Sequence, residues 1–136
     1  MKENIEDFSL SEGREKLELL LQFSENLPPL PDWLAGKENE MESVPECMTP
    51  VSITAQTKNG QMFFYFSIPE ESPTVRGYAA ILAEGLSGAS PEQVLNLPPD
   101  LFTSMGLEQV LSTQRMRGFS GLVAHLKRLA VESIQT

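Results

Sequence analysis

Apolar positions along this chain change their spacing several times, and each change marks an element. Leu17, Leu20, Leu21 and Leu27 recur at helical spacing behind Ser11, which is placed to cap a first helix, and Pro28-Pro29 stop it. Leu30-Pro31-Asp32-Trp33-Leu34 then predicts the start of a short second helix. Val51 to Thr57 and Gln61 to Ser67 are rich in β-branched and aromatic residues, and Asn59-Gly60 between them is the signature of a two-residue hairpin turn. The alternation Val51, Ile53, Ala55 and then Met62, Phe64, Phe66 predicts one buried face.

Helical spacing returns after the hairpin. Ser72-Pro73 opens a helix running to about Leu86 and ending at Gly88, and Ser90-Pro91-Glu92-Gln93 carries the residues of a capping box. Two short helices follow, separated near Leu97 to Asp100. Ser112 or Thr113 can cap the last helix, where Met116, Phe119, Leu122, Val123, Leu126 and Leu129 form an apolar stripe. Helices before and after one hairpin predict an α+β domain, with helices packed on a small antiparallel sheet whose third strand the sequence does not locate. Residues 1–10 read as an acidic N-terminal extension and 11–136 as a single domain, with a polar stretch around Gly36 to Glu42 as the other candidate linker.

The length of 136 residues suits one core. No apolar run approaches the ~20 residues of a membrane helix. The start, Met1 to Asp7, lacks the order of a secretory signal, so the expected location is cytoplasmic. A net charge of −9 without clustered Lys or Arg argues against nucleic acid as a partner.

A single cysteine, Cys47, lies in Val44-Pro45-Glu46-Cys47-Met48-Thr49-Pro50. Two flanking prolines exclude a helix interior or a central strand, so the thiol is expected on a loop. It is either a presented nucleophile or a small buried hydrophobe, and spacing alone leaves both open. Glu46 should raise the pKa of the thiol, and a positive group such as Arg115 or Arg76 would lower it. Arg115 and Arg117 stand where positive charge opposes the dipole of the last helix, a hint of use. Met48 and Met62 read as packing residues, Trp33 as a core or boundary anchor, and His125 as an ordinary surface or packing residue.

Taken together, these segments resemble the SufE family. The carriers of the resemblance are Pro45-Glu46-Cys47-Met48-Thr49-Pro50-Val51, the turn Asn59-Gly60, Val75-Arg76-Gly77-Tyr78, Gly88 through Ser90-Pro91-Glu92, Met105-Gly106-Leu107, and Leu111-Ser112-Thr113-Gln114-Arg115-Met116-Arg117-Gly118-Phe119. Upstream, Leu27-Pro28-Pro29-Leu30-Pro31 is also similar, so the resemblance spans roughly residues 11 to 130. It implies a SufE/IscU-like domain in which Cys47 accepts persulfide sulfur from a cysteine desulfurase of the SufS type. That sulfur would go on to a downstream iron–sulfur scaffold. Pyridoxal phosphate would sit on the partner, with no cofactor or metal on this chain, which would be a sulfurtransferase-like accessory protein rather than a stand-alone enzyme. Arg115 would lie near the partner interface or the thiol. The chain departs from the family pattern at Glu46, where glycine is usual, at Met48-Thr49, and at Pro50.

Three other readings compete with it. A metal or iron–sulfur scaffold would want about four ligands, and Cys47 and His125 are the only thiol and imidazole. A monothiol redox enzyme would call for βαβ units, which the pattern lacks. In a non-catalytic adaptor of a desulfurase complex the cysteine would be incidental.

Overall fold

Asn59 and Gly60 fix the sheet. Both are left-handed, with φ of 53° and 78°, as a type I′ turn requires. In the computed structural model, which describes residues 14–135, this turn joins β2 (Ser52–Lys58) to β3 (Gln61–Ser67) in register from Lys58 opposite Gln61 to Ser52 opposite Ser67. Ile53 faces Phe66, Ala55 faces Phe64 and Thr57 faces Met62, so the alternating apolar residues share one face. Ile53, Met62, Phe64 and Phe66 are buried there.

The third strand is β1 (Glu42–Ser43), antiparallel to β2 on its free edge, giving the order β1-β2-β3. It occupies the end of a stretch expected to be a linker. A two-residue strand has no alternation to detect and is defined by its partners, Ile53 and Ser52. At the other edge the backbone of Met62 pairs with Ala89 and Gly88, which closes part of β3.

Helices cover the apolar face. α1 (Arg14–Ser24) crosses α2 (Pro73–Leu86) where Gly77 meets the Leu20 backbone, and both residues are buried. α3 (Pro91–Leu95) carries the expected capping box: Gln93 N donates to Ser90 Oγ at 3.2 Å, and Ser90 N donates to Gln93 Oε1 at 2.9 Å. α4 (Leu101–Ser104) follows, and α5 (Thr113–Gln135) is capped by Ser112, whose Oγ accepts from Arg115 N at 3.1 Å. Phe119 of α5 stacks on Tyr78 of α2, with ring centroids 4.1 Å apart. The fold is therefore the expected α+β arrangement, five helices on a three-stranded antiparallel sheet among the described residues.

Local expectations differ in places. Residues 31–35 form one turn rather than a helix, with Leu34 N and Ala35 N on the Pro31 carbonyl at 2.9 and 3.1 Å. Left-handed Gly36 ends it, before a second turn could offset the cost of nucleation. Trp33 remains 48% exposed and sets its edge against Tyr65, as a boundary anchor. Ser72 does not cap α2 with its side chain; its hydroxyl pairs with Thr49 at 3.1 Å, tying the helix start to the segment after Cys47. The acidic extension and the Ser11 cap lie outside the described residues. Among the described residues, no helix is long and apolar enough to cross a membrane.

Candidate functional site

Val44 and Val51, both buried, close the loop between β1 and β2 by a backbone bond of 2.9 Å. The enclosed residues have little freedom. Pro45 supplies a fixed φ and no N–H at the first position of a 3₁₀ turn, Pro45–Cys47. The turn is closed by Cys47 N on Val44 O at 3.2 Å and Met48 N on Pro45 O at 3.3 Å.

This turn lies on α5 because two glycines of that helix make room for it. A Cβ at Gly118 would stand 3.1 Å from Cys47 Cα and 3.4 Å from Sγ, and one at Gly121 would stand 2.7 Å from both Glu46 Cβ and Oε2. Cys47 is thereby 8% exposed, and its thiol donates to the Gly118 carbonyl at 3.4 Å. Burial pushes the thiol from its ordinary 9.0 up to about 11; Glu46 adds to the rise and Arg115 opposes it. The expectations for Glu46 and Arg115 agree with this environment in sign. Arg76 instead donates Nη1 to the Ile68 carbonyl at 2.7 Å.

A thiol whose folded pKa exceeds its unfolded value favours folding most while protonated in both states. Its contribution is complete below about pH 9 and is lost as the pH rises toward about 11. Relative to Cys47→Ala, wild type is expected to lose about 1 to 2 kcal/mol across that window, measured by urea unfolding at successive pH values.

Beyond the thiol, Met48 is left-handed, with φ of 59°, and 75% exposed. Met48 is therefore not the packing residue expected: the turn must reverse at this residue, which throws its side chain into solvent. Met62 is fully buried. A left-handed non-glycine residue costs about 1 to 2 kcal/mol, so the turn is held against local strain. Two open grooves flank it along α5. One, of about 580 Å³, is lined by Pro45, Glu46, Met48 and Arg117; the other, of about 540 Å³, by Glu46, Phe102, Met116 and Arg117.

Glu46 points from the turn to His125, whose Nε2 lies 3.2 Å from Glu46 Oε2. The other ring nitrogen, Nδ1, is in short contact with Glu42 Oε2. Arg128 also holds Glu42, donating Nε at 3.1 Å and Nη2, and reaches Glu132 with Nη1 at 2.6 Å. His125 is thus no ordinary surface residue but the bridge between two carboxylates. The carboxylates face opposite edges of one ring, and among the described residues no three His, Cys, Asp or Glu side chains form a group able to hold a metal ion.

Sequence reasoning missed Glu42, His125, Arg128 and the glycine pair. The spacing Gly118-x-x-Gly121 within the apolar stripe was the available signal, since small residues one turn apart let a backbone approach a helix. Nothing local marked the carboxylate pairing.

The model of the SufE domain, described as Fe–S metabolism associated, matches residues 2–130. An uncharacterised SufE-like protein of Mycobacterium tuberculosis is 40% identical over 94% of this chain and 89% of its own length. The Plasmodium vivax cysteine desulfuration protein SufE is 24% identical over 79% of this chain and 42% of its own. The solution structure of a hypothetical protein from Thermus thermophilus has a TM-score of 0.86 and 32% identity, covering 99% of this chain and 96% of that one.

Proposed function

Since the chain belongs to the SufE family, associated with Fe–S metabolism, we propose that it is a cytoplasmic sulfur carrier whose Cys47 accepts persulfide sulfur from a SufS-type cysteine desulfurase. It stimulates that enzyme and hands the sulfur to an iron–sulfur assembly scaffold. The observation that carries this reading is the seat of Cys47: a lone thiol on a strained turn, sheltered by two glycines and bordered by open grooves. The Plasmodium vivax relative is a cysteine desulfuration protein by name, which favours a cysteine desulfurase as the sulfur donor.

The chemistry needs one good nucleophile and no cofactor on this chain; pyridoxal phosphate belongs to the donor enzyme. Cys47 loses its proton as the turn enters the donor's active site, and the thiolate attacks the terminal sulfur of the donor persulfide. A sulfur–sulfur bond forms on Cys47, the donor's sulfur–sulfur bond breaks, and the donor cysteine leaves as thiolate. Burial keeps the resting sulfur protonated and out of contact with stray oxidants, while Arg115 favours the thiolate once it forms. With no second cysteine, the carrier cannot expel the sulfur as an internal disulfide and must deliver it to an acceptor.

Alanine release by a cysteine desulfurase, measured with cysteine as substrate, tests this reading. Wild type is expected to raise the rate and Cys47→Ser to leave it at the level of the desulfurase alone. Equal stimulation by both proteins would replace the carrier by an adaptor.

A further inference from the structure

We propose that His125 is a positioning residue that latches the Cys47 turn shut, its protonated ring tying Glu46 on the turn to Glu42 on β1. The proposal rests on Cys47 being the sulfur acceptor and adds a control over when the thiol is released.

Its basis is the pairing of both ring nitrogens with carboxylates from two different elements. Only the doubly protonated imidazole donates from both nitrogens. After it loses one proton, the remaining N–H can serve one carboxylate, and the other nitrogen turns a lone pair toward the second. Glu42 is the better-held partner: its side chain is 14% exposed, and Arg128 binds it with two nitrogens. Glu46 is 40% exposed, and among the described residues its ion-pair partner is His125. Deprotonation therefore releases the Glu46 side of the bridge.

That release acts on Cys47 through a short lever. Glu46 is the residue before Cys47, and the turn is closed by backbone bonds of only 3.2 and 3.3 Å. Left-handed Met48 favours opening once the carboxylate lets go. The charged groups around the bridge are Glu42 from β1, Glu46 from the turn, and Arg128 with Glu132 from α5 itself. Arg117, which lines both grooves with Glu46, and Arg115, which acts on the sulfur, approach the turn from the start of α5.

Alkylation of Cys47 by iodoacetamide tests the latch without any desulfurase. Rates are compared for wild type, His125→Gln and Glu46→Gln between about pH 5 and pH 8. The ratio of His125→Gln to wild type cancels the thiol's own titration. It is expected to be about threefold to fivefold at the acid end and to fall to one at the alkaline end. Glu46→Gln should show the same decline, above a constant factor from the loss of its charge beside the sulfur, and His125→Gln should add nothing on that background. A ratio that does not change with pH, whatever its size, or one that grows with pH, would overturn the latch. Such a result leaves sulfur acceptance to its own test, and a failure of sulfur acceptance would leave the alkylation profile unchanged.

Discussion

Gly121→Ala is expected to raise the alkylation rate of Cys47 about tenfold, because the new methyl group and the closed turn cannot share the same space. The added Cβ would stand 2.7 Å from Glu46 Cβ and Oε2 and 2.9 Å from Cδ. The carboxylate can swing aside, but Cβ is fixed to the turn and moves only if the turn lifts. Lifting it weakens the thiol's bond to Gly118 O and pulls Glu46 from His125. Overpacking costs of about 1 to 3 kcal/mol fall on the closed state alone, and about 1.4 kcal/mol is a factor of ten in the open population. Gly118→Ala should act less, since its nearest atoms lie at 3.1 to 3.4 Å and the turn need shift by only a few tenths of an ångström. Rates followed by adduct mass give the order directly, and a rate for Gly121→Ala equal to wild type would show that the glycine is not what seats the turn.

Gly77→Ala is expected to be the most costly small substitution for stability, at about 3 kcal/mol and roughly 10 °C in the unfolding midpoint. A Cβ there would lie 2.1 Å from the Leu20 carbonyl oxygen and 2.9 Å from its carbon. Both groups are backbone within helices, so no side chain can rotate to relieve the overlap, and α1 must move away from α2. The better helix propensity of alanine, worth about 1 kcal/mol, offsets only part of this. Thermal unfolding followed by circular dichroism measures the shift; a midpoint within about 2 °C of wild type, roughly half a kcal/mol, would contradict the close crossing.

Neither close approach, at Gly77 or at Gly121, was readable in the sequence, since each depends on an element far away along the chain. The hairpin, the capping box of α3, the limits of α2 and the start of α5 depend on neighbours within a few positions, and they were legible. β1 was not, because two residues without a pattern become a strand only when β2 lies beside them. The helix expected at Leu30 to Leu34 had its start signal but met Gly36 before it could grow. Cys47 stood out as a lone thiol between prolines, yet its burial depends on Gly118, a partner 71 positions away. His125 read as an ordinary surface or packing residue, since its partners Glu42 and Glu46 lie 83 and 79 positions upstream. Met48 was legible as an apolar residue but not as a reversal point, because its left-handed backbone follows from the docking of the turn on α5.

Intact-mass spectrometry shows whether sulfur comes to rest on Cys47. The protein and Cys47→Ala are each mixed anaerobically with a cysteine desulfurase from the same organism and cysteine. Wild type alone is expected to gain one or more sulfur atoms, removable by reductant. No gain on wild type, or an equal gain on Cys47→Ala, would contradict sulfur acceptance by Cys47.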